Sequence, residues 1–217
     1  MSLAIFDLDN TLLGGDSDYL WGLFLIEHGI VERGLYEREN QRFYDEYRAG
    51  TLDIYAFLEF QLRPLAAHDM ATLYEWRRQF LREQIHPIIL PKARELVQRH
   101  RAQGDELLII TATNSFITEP IAEEFGVPEL LASEPEIRDG RYTGRVEGVP
   151  CFREGKVTRL EAWLNGRGVD LEDSWFYSDS HNDLPLLQRV DHPVAVDADA
   201  TLLAHARQQG WPSISLR

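Results

Sequence analysis

The stretch Leu3-Ala4-Ile5-Phe6-Asp7-Leu8-Asp9-Asn10-Thr11-Leu12 runs four apolar residues straight into two carboxylates spaced i, i+2. Side chains two apart in an extended segment point the same way, so Asp7 and Asp9 project together where the strand ends. Two close carboxylates repel and are costly to desolvate without a cation between them. A divalent metal, or chemistry that needs both acids, is therefore one reading. The other is a solvated turn after a buried strand, with Asp9-Asn10-Thr11 as turn and helix-cap residues.

Three further apolar runs, at 106–110, 174–177 and 193–196, read as buried parallel strands, each closely followed by polar residues. Segments of helical period lie between them. One spans 91–103, with Pro91 at its start and Gly104 past its end; others span 156–165 and 200–209, the last closed by Gly210. Alternating strand and helix predicts an α/β fold with a doubly wound, Rossmann-like parallel sheet, whose ligand site lies beyond the carboxyl ends of the strands. Residues 14–87 break the pattern with aromatic residues at helical spacing, among them Tyr19, Phe24, Phe43, Tyr47, Phe57, Trp76 and Phe80. They predict three or four amphipathic helices inserted over the strand ends, their aromatic faces read as core rather than as a ligand stripe. The expected organisation is a core of 1–13 and 88–217 with a helical cap of 14–87. Arg138-Asp139-Gly140-Arg141 carries a hairpin turn signal, so a small antiparallel flap is expected within 137–152.

With 217 residues, 44% of them hydrophobic, the chain can bury a full core. A net charge of −14 argues against nucleic acid or an anionic membrane surface as partner, though not against a small phosphorylated molecule. The single cysteine, Cys151, excludes an internal disulfide and a four-cysteine zinc site. The first residues have no signal-peptide character and no apolar run spans a bilayer, so a cytoplasmic location is expected.

Three other polar stops matter. Thr111-Ala112-Thr113-Asn114-Ser115 ends a strand in hydroxyls before a helix, where free backbone N–H groups bind phosphate oxygens or where Ser and Thr simply cap. Lys156 sits in the first turn of a helix, where the dipole disfavours a cation unless it faces an anion. Asp179 and Asp183 follow the strand ending at Tyr177 and add hard oxygen ligands suited to Mg²⁺; His181 between them reads as a turn residue.

In order and spacing these four pieces resemble the motifs of the haloacid dehalogenase superfamily of phosphatases: DxDx[TV], a strand-end Ser or Thr, a Lys and a final DxxxD. The insertion after the first motif is similar to that family's C1 cap, and Tyr142-Thr143-Gly144 to its phosphoserine phosphatase-like branch (subfamily IB). The resemblance implies Asp7 as nucleophile, forming an aspartyl phosphate, and Asp9 as general acid and base. Thr111 would hold a phosphoryl oxygen and Lys156 would balance charge. Mg²⁺ would be held by Asp7, Asp9 through its carbonyl, Asp179 and Asp183. For substrate contacts it points to Asp16, matching an acid that faces the substrate amine, with Asp18, Thr111 and Ala112. Arg48 and Arg63 are the candidates for a substrate carboxylate. The chain departs from the branch in having Ser178-Asp179-Ser180 where Gly-Asp-Gly is usual, and Thr111 where Ser is usual. The expected function is hydrolysis of a small phosphomonoester, leaning to an aminated one such as histidinol phosphate. The alternatives are phosphoserine, transfer to a second alcohol, and a non-catalytic binding module.

Overall fold

The computed structural model describes residues 2–217. Strand β1 (Leu3–Phe6) is fully buried and hydrogen-bonded on both sides. It runs parallel to β2 (Glu106–Asn114), with Ile5 opposite Leu108, and to β5 (Trp175–Ser178), with Ile5 opposite Phe176. The other strands are β3 (Glu129–Arg138), β4 (Arg141–Glu147), β6 (His192–Val196) and β7 (Ser213–Ile214). All seven form one sheet in the order β4-β3-β2-β1-β5-β6-β7, in which only β3 and β4 pair antiparallel. The expected α/β doubly wound architecture is therefore present, with two strands the apolar pattern did not signal. In β3, Glu and Pro interrupt the apolar run, because its first half pairs with β2 inside the sheet while its second half leaves to form the flap with β4. At the flap's tip Asp139 and Gly140 both have positive φ, 50° and 74°, as a type I′ turn requires. Two-residue β7 is too short to show a period.

The period of two along β1 divides the core. Leu3 and Ile5 join Leu108, Ile110 and Phe176 on one face, covered by α7 (Glu154–Leu164), α8 (Leu184–Leu187) and α9 (Ala200–Gln209). Ala4 and Phe6 join Leu107, Ile109 and Tyr177 on the other, covered by α5 (Pro91–Gln103) and α6 (Ser115–Phe125). Pro91 opens α5 and left-handed Gly104 closes it, as expected from the sequence.

Between β1 and α5 lie four helices, α1 (Ser17–Glu27), α2 (Arg33–Ala49), α3 (Ile54–Ala67) and α4 (Met70–Phe80), followed by a π-helical turn and a 3-10 turn that end at Ile88. The carboxylates of Asp16, Glu32, Asp53 and Asp69 cap their N-termini by accepting first-turn N–H bonds. Their aromatic residues divide by role. Trp21 stacks on Phe24 and meets Phe80 and Phe116 edge-on in the core, whereas Phe43, Tyr44, Tyr47 and Phe57 line a cavity above the sheet. The chain enters and leaves this helical unit side by side, with an antiparallel bridge between Leu13 and Ile89 and bonds from Gly14 N to Ile88 O (2.7 Å) and Leu90 N to Leu12 O (3.3 Å).

Candidate active site

Asp7 is the first residue past β1, and its N–H still donates to Tyr177 O at 2.9 Å, so the sheet sets its position. Beyond Asp9 the chain turns at Asn10 (φ 57°), and the N–H groups of Thr11, Leu12 and Leu13 all donate to Leu8 O. That tight turn points the Thr11 hydroxyl back into the site, where it lies 3.2 Å from both Asp7 Oδ2 and Asp179 Oδ1.

Lys156, in the first turn of α7, is buried and donates at 2.8 Å to Asp7 Oδ1 and to Asp183 Oδ2. Asp183 Oδ2 also accepts from Ser178 Oγ at 2.7 Å. Asp183, expected as a further metal ligand or as a partner of the ligands, anchors the lysine in this structure. Burial works against the charged amine, yet Asp183 and Asp7 outweigh it and raise the Lys156 pKa, so the lysine is a fixed cation. For Asp7, burial pushes the carboxyl up to about 7, with Lys156 opposing and Asp183 adding to the rise. Asp179 is likewise raised well above the usual carboxylate range by burial and by its neighbours Asp7 and Asp183.

The Asp9 carboxylate faces the other way, accepting from Ser17 N (2.6 Å), Thr113 Oγ1 (2.8 Å) and Thr111 Oγ1 (3.3 Å). Thr113 was not among the expected site residues. Its signal was present, since Thr111 and Thr113 share the i, i+2 spacing of Asp7 and Asp9 at the end of the adjacent strand.

These groups open onto a cavity between the strand ends and the helical insertion. Asp7, Asp9, Thr111, Thr113, Lys156 and Asp183 form its base, with Ala112 beside them; Asp16, Asp18, Asn40 and Gln61 join the aromatic residues above. Burial and the charge of Asp9 push Asp16 up to about 7, and burial with Asp16 pushes Asp18 well above the usual range.

Arg48 and Arg63 do not line this cavity. On α2 the residues facing it are Asn40, Phe43, Tyr44 and Tyr47, and on α3 they are Ile54, Phe57 and Gln61, both sets at helical spacing. Arg48 follows Tyr47 by one residue, about 100° round the helix, and Arg63 follows Gln61 by two, about 200° round. Arg63 is consequently exposed beside Glu59, and Arg48 lies on an outer opening with Asp179 and His181. His181 itself is tied to Asp199 at 2.8 Å.

Among the described residues no three His, Cys, Asp or Glu side chains are grouped as a ready-made metal cage. Two partly or fully buried carboxylates, Asp7 and Asp179, straddle one hydroxyl, and Lys156 alone does not compensate their charge. That donor set fits Mg²⁺, which is held through one or two carboxylates and keeps several waters.

Known proteins are similar to this chain along its whole length. A histidinol-phosphatase from Neisseria meningitidis serogroup C (strain 8013) is 47% identical over 220 residues, covering 100% of this chain and 99% of that protein. The crystal structure of a protein of unknown function from Bordetella pertussis Tohama I superposes with a TM-score of 0.94 at 46% identity, covering 100% and 99% of the two chains. A substrate-bound phosphoserine phosphatase shares the fold, with a TM-score of 0.73 at 18% identity and coverage of 100% and 93%. The family model for haloacid dehalogenase-like hydrolases matches residues 4–188, from β1 through the acids after β5, and the chain belongs to that family.

Proposed function

We propose that this phosphatase hydrolyses histidinol phosphate with Mg²⁺, using Asp7 as the nucleophile. The observation that carries the chemistry is the buried Asp7 carboxylate at the cavity base, 2.8 Å from the fixed ammonium of Lys156, with Asp9 beside the hydroxyls of Thr111 and Thr113. A carboxylate oxygen of Asp7 attacks phosphorus, the P–O bond to the alcohol breaks, and Asp9 protonates the departing oxygen. Asp9 then takes a proton from water, whose oxygen attacks phosphorus and frees Asp7 and inorganic phosphate. This acid-base role is worth roughly 10²–10⁴ in rate. Lys156 offsets the charge that builds as a carboxylate approaches a phosphate, and Thr111 turns from Asp9 to a phosphoryl oxygen. The metal would be held by Asp7, Asp179 and the Asp9 carbonyl, and when bound it supplies further charge neutralisation at the phosphate.

Substrate choice is supported by two things. The protein 47% identical over the full chain is a histidinol-phosphatase. Lys156 is the only cation lining the cavity among the described residues, and it is already paired with Asp7 and Asp183. A substrate carboxylate such as that of phosphoserine finds no unpaired cation there, while an amine meets Asp16. Phosphate release measured side by side with Mg²⁺ tests this: kcat/KM for histidinol phosphate should exceed that for phosphoserine by at least about 10²-fold. Equal or reversed preference would overturn the substrate assignment.

A further inference from the structure

The wall of the cavity away from Asp7 holds two acceptors without partners and no cation. Gln61, 1% exposed on α3, donates its Nε2 to the Asp18 backbone carbonyl at 3.4 Å. That bond fixes the amide so that Oε1 is left over, and Oε1 has no hydrogen-bond partner. Asp18, 5% exposed on α1, likewise has a buried Oδ1 without a partner. A buried acceptor left unsatisfied is costly, and buried polar groups are otherwise almost always paired. Both residues line the cavity, and neither has a cation facing it there. Phe43, Tyr44 and Phe57 flank the same space with apolar ring surface.

A ligand can supply the missing donors. An ammonium group that meets Asp16 leaves Asp18 Oδ1 on α1 and Gln61 Oε1 on α3 as two further acceptors. We propose that Asp18 and Gln61 together form a specificity site for a second N–H-bearing group of the substrate, a flat heteroaromatic ring that the flanking rings accommodate. The substrate class is thereby a phosphomonoester with two separate nitrogen donors and no carboxylate. This rests on the phosphatase reading above and extends it from the amine to the ring. A Gln61 side chain without its acceptor removes the bond to the ring, while Glu at the same place keeps an acceptor.

The experiment compares histidinol phosphate with p-nitrophenyl phosphate, which carries no N–H donor, on the same preparations of wild type, Gln61→Leu, Gln61→Glu and Asp18→Leu. Any unfolded fraction cancels in the ratio of the two kcat/KM values. The ratio should fall at least about tenfold in Gln61→Leu and in Asp18→Leu, mainly through a higher KM for histidinol phosphate, and Gln61→Glu should retain most of it. Inhibition by the product L-histidinol should weaken in parallel. A ratio within about twofold of wild type in both Gln61→Leu and Asp18→Leu overturns the specificity site while leaving the phosphatase assignment standing; so does Gln61→Glu falling as far as Gln61→Leu, which would mean packing rather than an acceptor. Wild-type enzyme that cleaves p-nitrophenyl phosphate but not histidinol phosphate overturns the substrate reading itself, and this site with it.

Discussion

Gly155 shows how little room the site's residues have. A Cβ at this position would lie 2.0 Å from the Pro150 carbonyl oxygen, so any side chain forces the first turn of α7 to shift. Lys156 is the next residue, and its amine must stay within hydrogen-bond reach of both Asp7 and Asp183. Gly155→Ala should therefore lower stability by roughly 1–3 kcal/mol in chemical unfolding and cost more in kcat than in KM. An unchanged kcat in a folded Gly155→Ala protein would show that Lys156 placement is not limiting. Asp7→Asn keeps the shape but not the nucleophilic oxygen, and phosphate release should fall at least about 10³-fold while the circular dichroism spectrum is retained. At this scale Asp7, Asp9, Lys156 and Asp179 were legible because each is a polar residue in a place where apolar strand or helix chemistry predicts something else. Gln61 was not, because a glutamine on a helix is ordinary until its neighbours are known, and Thr113 carried the strand-end spacing but gains its role only from Asp9 beside it.

The helical insertion is tied to the core by one compact set of contacts. Arg153, just before α7, donates from Nε to Asn182 Oδ1 at 3.0 Å and from Nη2 to the Gly50 carbonyl; Asn182 Nδ2 donates to Tyr47 O at 3.1 Å. The end of α2 is thus clamped onto the loops that carry Lys156 and Asp183. Arg153 holds φ 51° and ψ −121°, a conformation that glycine adopts freely and other residues only at a cost of about 1–3 kcal/mol. Replacing it with glycine relieves that cost and removes the clamp together. Arg153→Gly should keep thermal stability within a few degrees of wild type, yet speed amide hydrogen exchange at Gly50 and Thr51, whose N–H groups close α2. Exchange there at the wild-type rate would mean the helical unit is held elsewhere. The misplacement of Arg48 and Arg63 belongs to the same scale. Packing of α2 against α1 and of α3 against β4 decides which helical face meets the cavity, and charge alone does not reveal that phase.

Across the whole molecule the acids of the site set a pH dependence. Asp7 and Asp16 are pushed up to about 7, chiefly by burial, and Asp18 and Asp179 are raised as well. The folded state then binds more protons than the unfolded chain between about pH 4 and 7, so without metal its stability falls as pH rises through that window. A divalent cation that binds only the folded, ionised site reverses this loss. Saturating Mg²⁺ should raise the melting temperature by roughly 5 °C or more at pH 8 and by less than about half as much at pH 5.5. A shift independent of pH would argue against metal binding at these carboxylates. Among the described residues no helix is long and apolar enough to cross a membrane.

From the order of its residues alone, the chain determined a parallel α/β sheet, the helical insertion between its first two strands, and the strand ends at which Asp7, Asp9, Thr111 and Asp179 stand. These follow from local periodicity and from polar residues that interrupt it, both of which are properties of neighbours along the chain. Only the tertiary structure decided that β3 serves both sheet and flap, that Asp183 anchors Lys156, that Thr113 shares Asp9, and that the arginines of α2 and α3 point away while Gln61 and Asp18 line the cavity. Those outcomes depend on which helical face is buried and on contacts between residues far apart in the chain, 168 residues for Thr11 and Asp179, and no local pattern encodes them.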